Sequence, residues 1–152
     1  MAHTSGTAAN HLDLITALKT FATANGWALS WENATGTEFV LSGAGVVGGE
    51  AVHIGFRTEF VPATTIYTVY VRCMSSVVDG AASLGQHVGV SPEVAFMLDP
   101  NPMEYWFAIN DRRLVGAVKI STVFESFYAG FFLPYGTPVS YPRPYFLAGT
   151  RG

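Results

Sequence analysis

The chain has one cysteine, few charges and no long apolar run, and each shortage narrows what it is able to be. A single thiol, Cys73, excludes an intramolecular disulfide and any multi-cysteine zinc site. It stands in an apolar, strand-like run and reads as a small buried hydrophobe. The eight basic residues are scattered, with Arg112 and Arg113 the only adjacent pair. No basic face for nucleic-acid phosphates is therefore expected. No stretch reaches the roughly 18 apolar residues of a membrane-spanning helix, so membrane insertion is not expected either. The start, Met1 to Thr7, lacks the charged and apolar regions of a signal peptide, which implies synthesis in a cytoplasm without export.

Charge is the outlying quantity. Only 12% of the 152 residues are Asp, Glu, Lys or Arg, against about 25% in a soluble domain. A free monomer normally stays soluble behind a charged, patch-free surface. Either this surface is polar but neutral, or neighbours cover part of it. What the chain does have is apolar: 49% hydrophobic and 14% aromatic residues exclude intrinsic disorder. The length suits a single domain over 1–152, large enough to bury about 70% of its unfolded surface without staples.

Periodicity divides the chain into four stretches. Residues 1–9 read as a flexible N-terminus. Residues 10–25 read as one helix, because Leu12, Ile15, Leu18 and Phe21, with Leu14 and Ala22, fall at three- and four-residue spacings. Asn10 is its N-cap candidate and Asn25-Gly26 its stop. Residues 26–134 carry strand patterns. Trp27 to Trp31 and Glu38 to Ser42 form a hairpin around Asn33–Gly36, and the glycine-rich stretch 42–49 lacks the Lys-Ser/Thr of a phosphate loop and reads as a connection.

Ala51–Val61 and Thr64–Met74 are β-rich runs joined around Pro62. Val77–Pro102 is the longest irregular stretch, the kind of loop that is usually functional. Tyr105–Ile109 and Arg112–Thr122 form a second hairpin, followed by a strand over Val123–Leu133. These last strands are apolar on both faces, which predicts burial between two layers. The expected fold is mainly β: an antiparallel sandwich or barrel with one N-terminal helix. Residues 135–152 combine three prolines with four aromatics and read as an extended arm, lying on its own domain or on a neighbour's.

No active site is spelled out. His3, His11, His53 and His87 show no metal-ligand spacing, and no Gly-x-Ser-x-Gly elbow occurs. Glu104 and Glu125 flank the aromatic hairpin and are the one carboxylate pair that a glycosidase reading offers. Arg57 with Glu59, and Lys119 with Glu125, read as surface pairs. The three tryptophans, Trp27, Trp31 and Trp106, offer a stacking platform for a glycan or simply core. No cofactor, metal or enzymatic activity is expected.

The C-terminal third, over residues 104–149, resembles a family of tailed-bacteriophage virion structural proteins. The resemblance rests on Tyr105-Trp-Phe-Ala-Ile-Asn-Asp-Arg-Arg, Lys119-Ile-Ser-Thr, Gly130-Phe-Phe-Leu-Pro-Tyr and Tyr141-Pro-Arg-Pro-Tyr-Phe. Val52-His-Ile-Gly-Phe-Arg-Thr-Glu is similar more loosely. It implies a non-enzymatic virion component, of the tail or its baseplate and tip, assembled in the host cytoplasm. It would be a homo-oligomer or ring bound to other virion proteins. The surfaces expected to meet neighbours are the hairpin tip with Arg112 and Arg113 and the arm with Tyr135, Tyr141, Arg143, Tyr145 and Phe146. A glycan-binding receptor module, with a host-surface glycan as partner, and a head-decoration protein are the alternatives.

Overall fold

The computed structural model describes residues 1–45, 51–62, 66–131 and 145–149. Among these residues ten strands build two antiparallel five-stranded sheets. The first sheet holds β1 (Ala2–Ala8), β7 (Met103–Asn110), β8 (Arg113–Ile120), β9 (Val123–Phe131) and β10 (Tyr145–Gly149), in that order. The second holds β2 (Ala28–Glu32), β3 (Glu38–Gly43), β4 (Val52–Val61), β5 (Ile66–Met74) and β6 (Val94–Leu98). Strand and helix follow from period: β7 and β8 alternate more and less buried positions over most of their length, as a pleat requires. The fold is the expected β-sandwich with one helix.

The helix α1 (His11–Ala24) begins where the sequence places its cap. The Asn10 side chain accepts from the backbone N–H groups of Leu12 and Asp13, while the Asp13 carboxylate accepts from Ala9 N–H. Two otherwise orphaned donors and the entering chain are thus held reciprocally. At the other end Gly26, at φ 88°, takes the left-handed turn that stops the helix. Leu14, Ile15, Leu18 and Ala22 point inward, so α1 seals the side of the sandwich where β1 and β2 are the free edges.

The core is a run of aromatic rings between the sheets. Phe127 of β9 stacks on Phe96 at 5.2 Å and meets Phe56 edge-on at 5.7 Å, and Phe56 stacks on Phe39 at 5.3 Å. Gly116 on β8 makes room for it: a Cβ there would collide with the Phe127 ring. Cys73 is buried in this core at 1% exposure, and burial pushes its thiol up to about 12, so it is an inert hydrophobe here.

Three expectations change. Residues 2–8 are not a flexible tail but strand β1, paired with β7 at every position from Ala2 to Ala8. The irregular stretch 77–102 contains β6 and a single 3-10 turn, Leu84–Gln86. Within the arm, residues 145–149 are not an excursion onto a neighbour but the fifth strand of the chain's own sheet, paired with β9. The rest of the arm, with Tyr135, Tyr141 and Arg143, and part of the glycine-rich connection lie outside the described residues.

Candidate functional site

The two outer faces of the sandwich are finished differently, and the difference locates the site. On the second sheet the loop between β5 and β6 folds back over the strands. Its Leu84 is 2% exposed and packs with Val40 and Met74, flanked by Trp31, Val77 and Val90. Polar contacts pin this cover: Trp31 Nε1 donates to Ala81 O at 3.0 Å, and Leu84 N donates to the Glu38 carboxylate at 2.8 Å. His87, buried under the loop, accepts from Val78 N at 3.1 Å and meets the Trp31 ring edge-on.

Charges on this sheet neutralise one another. Arg57 bonds Glu59 at 2.6 Å, Arg72 bonds Glu93 at 2.8 Å, and Arg57 lies 3.5 Å from Glu93 and over the Tyr70 ring. Burial weakens the Arg57 charge, but the hydrogen bond to Glu59 and the neighbouring Glu93 outweigh it and hold the guanidinium ionised. A depression of about 350 Å³ here is lined by Glu38, Arg57, Arg72 and Glu93. Its cations and carboxylates already face each other, so it presents no net charge to a ligand.

The first sheet has no such cover among the described residues. Its outward side chains form cross-strand rows. Ser5, Trp106, Ala117 and Ser126 make the central one; His3, Ala108, Val115, Tyr128 and Ala148 lie on one side of it, and Thr7, Glu104, Lys119 and Phe124 on the other. The middle of the face is built from small residues, which leave a shallow trough of about 300 Å³ with Trp106 at its rim. A second hollow of about 220 Å³ continues it across Ser126, Tyr128 and Ala148. Three large rings stand out of the face: Trp106 is 41% exposed, Phe124 57% and Phe146 41%. The ion pair on these rows, Lys119 with Glu104 at 3.3 Å, is solvent-exposed and contributes little.

Strands β7 to β9 were expected to be covered on both faces. Among the described residues only the inner face is packed. An apolar floor with aromatic rims is what the centre of a protein–protein contact looks like before its partner arrives.

The sequence-level candidates divide. Arg112 and Arg113 close the β7–β8 turn, where Asn110 Oδ1 accepts from both of their backbone N–H groups. This turn is tucked in rather than projecting. Phe131 N donates to Arg112 O, Gly45 N to Asp111 O, and Trp27 Nε1 to Asn110 O. Both arginines are half-buried, and the buried Arg113 Nε has no acceptor among the described residues. Phe146 does reach the site: it stands opposite Gly130, edge-on to Tyr128 at 5.6 Å. The backbone of Tyr145 pairs with Phe131.

The sequence offered Trp106 as a stacking platform or core, and did not single out Ala117 or Phe124 as a surface. The available signal was an apolar residue out of phase with its strand's buried positions, such as Trp106 between Tyr105 and Phe107.

Two catalytic arrangements are corrected or left incomplete. Glu104 faces outward opposite Lys119, whereas Glu125, 3% exposed, faces the core opposite Val118. The two carboxylates lie on opposite faces of the sheet and cannot flank one glycosidic bond. Lys119 accordingly pairs with Glu104, not Glu125. On the second sheet Ser42 Oγ lies 2.7 Å from His53 Nδ1 and accepts from Ser30 Oγ. No carboxylate among the described residues orients His53, so the triad logic is incomplete. Burial, then the neighbouring His87, push the His53 imidazole down and favour its neutral form. Among the described residues no group of three or more His, Cys, Asp or Glu could hold a metal ion, and no helix is long and apolar enough to cross a membrane. No protein-family model matches the chain, and no curated protein matches it.

Proposed function

We propose that the chain is a structural component of a tailed-phage virion, of the tail or its baseplate–tip region, and that it works by docking other virion proteins. One observation carries the docking: the outer face of the first sheet is apolar and ringed and has no covering loop among the described residues, while the opposite outer face is sealed by the chain's own loop. The virion assignment draws on the likeness over residues 104–149, most of which lies on β7 to β10, the strands that build this face.

Size sets what the face does. Five strands spaced about 4.8 Å apart and some seven residues long span about 24 Å by 24 Å. That is about 500–600 Å², below the roughly 800 Å² per partner of a standard interface. The face therefore supplies the desolvated centre of a contact, with Trp106, Phe124 and Phe146 as anchors, and needs a rim from elsewhere. Low overall charge follows from the same arrangement, since interface centres are depleted in charge.

The test is Ala117→Glu, which sets a carboxylate in the middle of the trough without touching the core. The variant should fold normally and fail to incorporate into particles. Incorporation at the wild-type level would overturn the proposal. A second reading, recognition of a host-surface glycan, draws on Trp106 and Phe124, whose rings lie 6.0 Å apart beside Glu104 and Lys119. It would show as sugar binding abolished by Trp106→Ala with incorporation intact. A head-decoration role differs only in the partner met.

A further inference from the structure

Sheet edges are templates for pairing with another chain unless something blunts them, and folded proteins blunt them with charge, proline, bulges, shortness or a covering element. Three of the four edges of this sandwich are blunted. β2 is five residues long, breaks register between Leu29 and Trp31, and ends on Glu32, which Lys19 holds. β6 is five residues long, is entered from Pro92-Glu93 and left through Pro100. β10 is also five residues long and leans on β6, where Gly149 sits so close to Val94 that a Cβ would collide with it.

β1 lacks charge, proline, a bulge and shortness, and it is buried only at its Ala8 end, beside α1. It is seven residues long, keeps an unbroken register with β7, and contains no charged residue and no proline. Among the described residues β7 is its only strand neighbour. Its other side is a row of backbone donors and acceptors on an edge of small, neutral side chains.

We infer that β1 pairs antiparallel with β1 of a second copy of this chain, about a two-fold axis at Ser5. The occupant is chosen by self-complementarity. Ala2-His-Thr-Ser-Gly-Thr-Ala8 reads nearly alike in both directions, so antiparallel pairing sets His3 against Thr7, Thr4 against Gly6 and Ser5 against itself, with the buried Ala8 at the margin of the paired stretch. Small meets small at every step on the inner side, and polar meets polar on the outer side. The same side of the sandwich exposes Leu12 of α1 at 47%, an apolar residue that a second copy would help to cover. Pairing makes one ten-stranded sheet, in which the central row of Ser5, Trp106, Ala117 and Ser126 continues across the axis. This inference stands on the edge itself and does not depend on the virion reading.

The test uses the whole purified chain and charge exchange at the axis. Like charges directly opposite each other on paired strands are destabilising, and opposite charges are favourable. Ser5 is exposed on the outer face, so Ser5→Lys and Ser5→Glu leave the core intact, which unchanged melting at dilutions where wild type is monomeric would verify. In sedimentation equilibrium over a concentration series, wild type should reach twice the 16.3 kDa chain mass. Each variant alone should stay monomeric, and an equimolar mixture of the two should recover the dimer. Three results would overturn the inference: a wild type that stays monomeric, a Ser5→Lys variant that dimerises as wild type does, or a mixture that remains monomeric.

Discussion

Strand β9 carries two phenylalanines three residues apart that the fold assigns to opposite faces, and truncating each in turn tests the sandwich. Phe127 is 3% exposed, stacks on Phe96, meets Phe56 edge-on and fills the space left by Gly116. Phe124 is 57% exposed on the outer face, beside Trp106. Phe127→Ala removes a ring from between the sheets, where the rigid strands on either side relax only partly, so transfer and cavity costs add to about 3–5 kcal/mol. A domain of this size has about 5–15 kcal/mol in total, and each kcal/mol shifts its midpoint by about 2–4 °C. The expected loss is therefore about 6–20 °C.

Phe124→Ala removes a ring that is largely in water already, and should cost less than about 0.5 kcal/mol. The assay is urea denaturation followed by circular dichroism, with equal slopes required so that the midpoints compare native stabilities. Equal costs for the two substitutions would refute the assignment of faces, and with it the bare outer face.

Other consequences are checked with the same apparatus. Asn10→Ala removes the side chain that accepts from both Leu12 and Asp13, and should cost about 1 kcal/mol, while Asn10→Ser should restore most of it. Burial lowers the His11, His53 and His87 imidazoles from 6.5, helped at His53 by His87 and opposed at His87 by Glu38. The unfolded chain then binds more protons than the folded one, so the stability held above pH 6.5 should be lost as pH falls through the lowered folded values. Melting temperatures from pH 8 down to pH 5 should show that slope, and His53→Asn should flatten it; an unchanged slope would show that His53 is not among the groups responsible.

What was legible in the sequence was whatever had a strong period or a local chemical signal. The α1 boundaries followed from Asn10 and Gly26, and β7 to β9 from long apolar runs around the Asn110-Asp111 turn. β1 was missed because Ala-His-Thr-Ser-Gly-Thr-Ala has no apolar alternation: an edge strand needs only small residues beneath it. β6 was hidden between Pro92 and Pro100, and β10 behind Pro142 and Pro144, since proline next to a short run signals a break whether or not pairing follows.

The candidate face was beyond reach for a different reason. Trp106 and Phe124 look like core residues by type, and only the tertiary structure shows that the second sheet has a covering loop while, among the described residues, the first has none. The low charge that marked the sequence can now be given a place, because the rows from Ser5 to Ser126 and from His3 to Ala148 carry no carboxylate, lysine or arginine.

The docking of the first sheet's outer face is the claim on which the account turns. Hydroxyl-radical footprinting of the isolated chain and of purified particles measures it directly, with oxidation of Trp106 and Phe124 read by mass spectrometry. Both rings should be oxidised readily in the isolated chain and strongly protected in the particle. Equal oxidation in the two, or particles that lack the chain, would contradict the account.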